Sequence, residues 1–334
     1  MISSGKDKGQ RGRKLGTKVT RERRSDNEAT VLKGLCMRPW AVDREVGRAL
    51  GLKMSTLTAI KNRLRRAGMY RKANIPAYHR LGYSVLSLSS IRAPTTLDHA
   101  FGNAPTGSLV VFGLQDPLGA LVMAYHRGLY EFKGFEAVLD GWDHQLFPLT
   151  GARHRSQFDF TNSVNKASFG NRFDAGEGPI AREGLYELRT KIENRVLGAF
   201  IRTPEANALM ISKASGVTRQ SVIKIRDRLR RKGLIHRTAL VDPKALGLGL
   251  GSAAVLDLKG TISDAAARDI ERTARPFWFQ SFGSTCVLLA CHADYDGFAS
   301  EVNRLGRLKG IAKLNARVFG LKDGELRYRF ELAD

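Results

Sequence analysis

Gly216-Val217-Thr218-Arg219-Gln220-Ser221-Val222-Ile223-Lys224-Ile225-Arg226-Asp227-Arg228-Leu229-Arg230-Arg231-Lys232-Gly233 contains a whole helix with its boundaries. Gly216-Val217 is a turn, and Thr218 is a residue type that caps helix N-termini with its side-chain oxygen. Val222, Ile225 and Leu229 recur at helical spacing, which places them on one buried face. Gly233 suits the left-handed position that ends a helix. Upstream, 194–201 carries an apolar stripe that Pro204 stops, and 208–215 reads as a short helix. Downstream, 234–240 alternates as a strand does. Helix, short helix, glycine turn, helix and strand make a winged helix-turn-helix. The second helix of that motif enters the DNA major groove, N-terminal residues first.

The same layout occurs earlier in the chain. Residues 31–82 align without a gap onto 196–247 at a constant offset of 165, with 14 of 52 positions identical. Gly51, Ile60, Arg63-Leu64-Arg65-Arg66, Gly68 and Leu81-Gly82 each meet an identical partner. The spacing predicts helices over 27–37, 43–50 and 54–67, with Leu57, Ile60 and Leu64 facing inward. A self-similarity of this length predicts two similar structural units, and two units can present two copies of one surface, as a dimer does.

Charge follows the two copies. The chain of 334 residues has a net charge of +23 and a pI near 10.3. Residues 1–25 carry +7, 43–80 carry +8 and 208–245 carry +8, so these three blocks account for the whole excess. Residues 254–334, by contrast, hold twelve basic and eleven acidic side chains. Charge concentrated this way points to a polyanionic partner, double-stranded DNA. The tail 1–25 has too little apolar content to fold alone. It is expected to be a disordered basic arm that tracks phosphates.

The candidate DNA contacts come from the outward positions of the two third helices and the strands behind them. In the first copy they are Lys53, Met54, Ser55, Thr56 and Lys61, then Arg65, Arg66, Arg71 and Lys72. In the second they are Thr218, Arg219, Gln220, Ser221 and Lys224, then Arg228, Arg230, Arg231 and Arg237. Arg and Gln make bidentate contacts to guanine and adenine edges. The arginines further along and on the wing suit phosphates, which position a protein without reading sequence. The outward residues differ between copies, so the two units need not read the same half-site.

After each copy the pattern changes. Residues 252–258, 262–274, 277–282, 285–292, 295–308 and 312–321 read as strand, helix, strand, strand, helix, strand, and 325–332 suggests one more strand. That order is the ferredoxin-like arrangement. A rougher version runs from 84 to 160, with its helices over 96–101 and 132–139. The fold class is therefore α+β. The expected domains are a tail (1–25), winged helix-turn-helix 1 (26–82), ferredoxin-like domain 1 in degenerate form (83–150), a linker (151–180), winged helix-turn-helix 2 (181–247) and ferredoxin-like domain 2 (248–334).

A winged helix-turn-helix, a Leu-Gly pair and a βαββαβ module resemble the Lrp/AsnC family of transcription regulators over 27–148 and 190–322. The resemblance implies DNA binding, and pairing of ferredoxin-like modules within the chain or as a homodimer. The tandem looks like such a dimer fused into one polypeptide. Where family members carry a Gly-Asp-like turn near the small-molecule site, this chain has Gly283-Ser284-Thr285 and Gly113-Leu114-Gln115-Asp116. A small-molecule effector is accordingly left open. Siroheme decarboxylases are similar in architecture, and for that enzyme class His126, His144 and His154 are the candidate propionate holders. An architectural DNA-binding protein with little sequence preference is the third class.

Little else in the sequence carries chemistry. Three cysteines (Cys36, Cys286, Cys291) suit a reducing cytosol. Cys286 and Cys291 point to opposite faces of one strand and His292 has no second metal-ligand pair near it, so buried packing is expected rather than a metal site. Gly247-Leu248-Gly249-Leu250-Gly251 lacks the helix and the acid of a nucleotide loop. No Walker motif, triad order or paired carboxylates stand out. The expectation is a cytoplasmic, nucleoid-associated regulator that is not an enzyme, takes no cofactor, binds no metal and has no membrane span.

Overall fold

The computed structural model describes residues 27–150, 152–156, 158–167 and 190–332. The tail 1–25 and most of the expected linker lie outside the described residues. The first helix-turn-helix comprises α1 (27–37), α2 (Asp43–Ala49) and α3 (Met54–Arg66), followed by β1 (Tyr70–Pro76). The first α+β module is β2 (Val85–Ile91), α4 (Leu97–Gly102), β3 (Ser108–Asp116), β4 (Gly119–His126), α5 (Leu129–Val138) and β5 (Asp143–Pro148). Two short elements follow, β6 (Arg153–Ser156) and α6 (Thr161–Ala167). The second half repeats the order with α7 (Lys191–Arg202), α8 (Ala208–Ser215), α9 (Arg219–Arg231) and β7 (Ile235–Val241). It continues with β8 (Leu250–Leu258), α10 (Asp264–Ala274), β9 (Trp278–Phe282), β10 (Thr285–His292), α11 (Tyr295–Gly306), β11 (Ile311–Gly320) and β12 (Glu325–Tyr328). The fold is α+β: winged-helix units joined to ferredoxin-like modules.

The local rules read from the sequence act here. Gly51 and Gly216 take φ of +64° and +65° at the helix-turn-helix turn, and Gly68 and Gly233 take +68° and +62° after the third helix. Only glycine enters that region without steric cost. The Thr218 hydroxyl accepts the Ser221 amide at 3.3 Å and caps α9, and the Asn207 side chain caps α8. Lys53 stands at the N-cap of α3 and offers no such bond. Leu57, Ile60 and Leu64 are buried on α3, and Val222, Ile225 and Leu229 on α9.

Each module forms a five-stranded sheet, ordered β12-β3-β4-β2-β5 and β6-β9-β10-β8-β11. Four strands in each follow the order of a ferredoxin-like unit, so the first module holds every element of the second. The fifth strand is exchanged. β6 follows the first module but pairs with β9 of the second. β12 follows the second module but pairs with β3 of the first, Leu326 opposite Leu114. The described part of the expected linker thus carries regular structure, β6 and α6, and the terminal strand β12 joins the sheet of the first module.

The two sheets face each other. Strand periodicity puts alternate residues on opposite faces. In β4, Leu121 and Met123 point into the space between sheets, while Ala120, Val122 and Ala124 point under α4 and α5. In β10, Val287, Leu289 and Cys291 point inward, while Cys286, Leu288 and Ala290 point under α10 and α11. The two cysteines thus lie on opposite faces as expected, each in an apolar core. Phe147 stacks on Phe282 across the sheets at 4.9 Å. Arg317 of β11 reaches Asp143 of β5 at 2.9 Å. Pairing of the modules therefore occurs within the chain.

The strand expected to begin a wing does something else. β1 and β7 pair with each other, antiparallel, as a two-stranded ribbon. Ala73 lies opposite Thr238, and these positions are 165 apart in sequence. The ribbon is therefore centred on equivalent residues, which is the geometry of a self-complementary two-fold contact. Each strand also touches the other half's first helix. The Asn74 amide donates to the Phe200 carbonyl of α7 at 2.7 Å, and Cys36 of α1 packs with Ala239, Leu240 and Val241 of β7.

His126 makes a pH prediction. It is fully buried, bonded to the Ser87 and Ser108 hydroxyls at 2.7 and 2.8 Å, and burial first and His144 second push its pKa down to about 3. The unfolded chain therefore binds this proton more readily, so its contribution to stability is present above about pH 6.5 and is lost as pH falls toward 3. Thermal or urea unfolding should show about 2 kcal/mol lost at pH 5 from this group. His126→Gln should flatten the profile between pH 7 and 5; an unchanged slope would contradict the assignment.

Candidate nucleic-acid interface

The N-terminal ends of α3 and α9 are the open parts of the two third helices. Lys53, Met54, Ser55 and Thr56 are exposed, as are Thr218, Arg219, Gln220 and Lys224, with Ser221 half-buried. None of these side chains is drawn into an ion pair among the described residues. α9 therefore presents three long donors, Arg219, Gln220 and Lys224, beside free amides at a helix N-terminus. Such an end favours negative charge because its N–H groups are unsatisfied and its dipole is positive.

The arginines toward the C-terminal ends divide into three roles, and the two halves agree position by position. Arg63 pairs with Glu28 and Arg228 with Glu193, tying the third helix to the first within each unit. Glu193 is 1% exposed, so this carboxylate depends on its arginine. Arg65 pairs with Glu205 of the other half at 2.6 Å. Its counterpart Arg230 lies 4.9 Å over the ring of Trp40, also in the other half. Trp40 and Glu205 are themselves 165 apart. An ion pair and a cation–π contact thus serve the same joint at equivalent places. Arg66 and Arg231 remain exposed, the Arg231 Nε donating to the Asp227 carbonyl at 3.3 Å.

Five of the side chains expected to contact phosphate, and one outward lysine with them, have intrachain contacts or sit in the ribbon. Arg228 belongs to the unit's interior brace, and Arg65 and Arg230 to the joint between halves. Arg237, placed on a wing by the sequence reading, sits in the ribbon. Its Nε donates to the Asn74 side-chain Oδ1 at 3.0 Å, its Nη2 donates to the Pro204 backbone carbonyl, and its guanidinium lies 4.9 Å over Trp40. Lys72 is half-buried in the same ribbon, where burial lowers its pKa. Lys61 turns inward to Asp43 at 2.7 Å. Arg71 stays exposed on β1, within 3.4 Å of the Tyr328 carbonyl. For Arg237 and Lys72 the physical reason is that β1 and β7 pair with each other, so the polar side chains of these strands meet the other half instead of solvent.

Trp40, Asn74, Glu205 and the Glu28/Glu193 pair escaped sequence reading. One signal was available for the last. Glu28 and Glu193 sit at the same 165 offset, just outside the aligned window, and each faces an arginine that is identical in the two halves.

Two of the histidines proposed for a tetrapyrrole site, His126 and His144, both meet the Phe132 ring edge-on. His126 is sealed beneath α5 between two serine hydroxyls. His144 bonds the Ser89 hydroxyl at 2.8 Å. His154 lies in β6 opposite Gln280. His292 repeats the His126 arrangement, 2.7 Å from the Ser252 hydroxyl; Ser87 and Ser252 are 165 apart.

No family model and no curated protein matches the chain. Similar solved structures include the siroheme decarboxylase NirDL, 12% identical with a TM-score of 0.50 over 86% of this chain and 87% of that one. They also include AsnC of E. coli (15% identity, TM-score 0.29, 40% of this chain and 92% of that one) and LrpC of B. subtilis (14%, 0.33, 39% and 93%). The likeness is one of fold. No helix among the described residues is long and apolar enough to cross a membrane.

The division of arginine roles predicts a stability contrast. Arg228→Ala leaves the buried Glu193 carboxylate unpaired and should cost about 2–3 kcal/mol in urea unfolding. Arg231→Ala should stay within about 0.5 kcal/mol. Equal effects would refute the distinction between brace and surface.

Proposed function

We propose that this chain is a double-stranded DNA-binding transcription regulator that lays two recognition helices on one duplex from a single polypeptide. One observation carries the reading. In both halves the third helix keeps its N-terminal end open while its C-terminal arginines hold the frame. That is the orientation in which a helix-turn-helix offers base-reading side chains to the major groove. The net charge of +23 supports a polyanionic partner, and the tail 1–25 adds cations for the flanking backbone. The fused halves take the place of a dimer, and the chain acts by binding rather than by catalysis, with no cofactor. The buried, serine-bound His126 and His292 are framework groups in this reading, which leaves the tetrapyrrole alternative without an open histidine among those two.

The test is fluorescence anisotropy on upstream genomic duplexes and a scrambled control, from 50 to 200 mM salt. With lysines and arginines neutralising about 6 phosphates, affinity should fall roughly 10³-fold across that range. Arg219→Ala with Gln220→Ala should shrink the preference for the best duplex over the scramble. Arg66→Ala with Arg231→Ala should weaken all duplexes alike and reduce the salt slope by about 2. Salt-steep binding without preference would instead identify an architectural protein. Absence of binding at low salt would exclude both.

A further inference from the structure

The two recognition helices carry different surfaces at matching positions. Where α9 presents Arg219, Gln220 and Lys224, α3 presents Met54, Ser55 and Ala59, all exposed. The preceding helices differ in the opposite sense. α2 exposes Arg44 and Arg48, where α8 exposes Leu209 and, at the second position, Lys213. Lys61, the long donor one turn along α3, is withdrawn to Asp43. The equivalent of Thr218, which caps α9, is Lys53, an exposed point charge that leaves the first α3 amides uncapped.

Resting on the DNA-binding reading above, we infer that the halves divide the work: the second half reads bases and the first half holds backbone. Arg219 and Gln220 have the fork geometry for guanine and adenine edges. α3 offers no guanidinium or amide near its N-terminus. The cations of the first half, Arg44 and Arg48 on α2 with Lys53 and Arg66 at the two ends of α3, are suited to phosphates, which carry no sequence information. Its Met54 and Ala59 can meet only apolar features in the groove, the thymine methyl among them. A pseudo-symmetric protein therefore recognises an asymmetric site: one half-site specified base by base, the other A·T-tolerant and weakly specified. The target is a directional sequence rather than a palindrome, so the bound protein has one orientation on its DNA.

Selection of bound duplexes from a random pool with the full chain, followed by anisotropy on the winners, tests this. The expected result is one half in which each base-pair change costs roughly tenfold or more and another in which changes cost under threefold. Arg219→Met/Gln220→Ser/Lys224→Ala should erase the strong half and leave salt-dependent binding. Met54→Arg/Ser55→Gln/Ala59→Lys should create a second strong half, turning the winner into a near-palindrome. All six positions are on the surface, and a thermal melt of each variant verifies folding. Equal information in both halves for the unaltered chain would overturn the inference while leaving DNA recognition intact. Salt-steep binding with no enriched sequence would overturn it by removing base readout altogether. No binding would overturn it together with the DNA reading.

Discussion

The ribbon formed by β1 and β7 is the constraint on which the rest depends. Backbone N–H and C=O groups must be paired when buried, and a strand after a helix-turn-helix ordinarily finds its partner in its own wing. Here the partner is the equivalent strand of the other half. Because Ala73 and Thr238 oppose one another at the centre, every side chain leaving the ribbon on one half has a counterpart on the other. The joint is then finished by groups that only a close pairing brings together: Asn74 on Phe200 and Arg237, Arg230 and Arg237 on Trp40, Arg65 on Glu205. Below it, two sheets share one core and exchange their outer strands, β6 and β12. Two winged helices fastened at ribbon, core and edge strands form one frame, and a frame fixes the distance and angle between the two third helices, α3 and α9.

That frame explains why so much positive charge lies away from the open N-terminal ends of the third helices. An Arg-Leu-Arg-Arg run looks like a phosphate contact when read as sequence. In three dimensions its first arginine braces the unit on a glutamate, its second bridges to the other half, and its third joins neither contact. The guanidinium suits the first two tasks because it stays charged, forks onto carboxylates and stacks on aromatic rings. Net charge thus overstates the number of available phosphate contacts, while the direction of the charge, toward a polyanion, is unchanged.

Secondary structure was legible because local rules decide it. Glycines at 51, 68, 216 and 233, the Thr218 cap and the i, i+3, i+7 spacing on both third helices placed those elements to within a residue or two. The ferredoxin-like order was legible from strand alternation. Strand pairing was not, since 70–76 and 235–241 read identically whether they fold into a wing or onto each other; the choice lies in a contact 165 residues away. The same limit applied to the site. Outward positions at the helix N-termini followed from periodicity, whereas the intrachain partners of Lys61, Arg65, Arg228, Arg230 and Arg237 lie on other elements that local spacing does not locate. The 165 offset itself held the missing clue, in Glu28 and Glu193 facing Arg63 and Arg228.

The measurement that bears most directly on a rigid two-headed frame is affinity against helical phase. Starting from the near-palindromic duplex of the Met54→Arg/Ser55→Gln/Ala59→Lys chain, in which both halves are to read bases, about 5 base pairs, half a helical turn, are inserted between the segments protected by the two third helices. A frame held by the ribbon cannot follow the rotation, so affinity should drop toward the value for a single half-site, and a full-turn insertion should not restore it because the spacing is fixed. Affinity unchanged by the half-turn insertion would mean that the helices move independently, and would contradict the ribbon as the organising element.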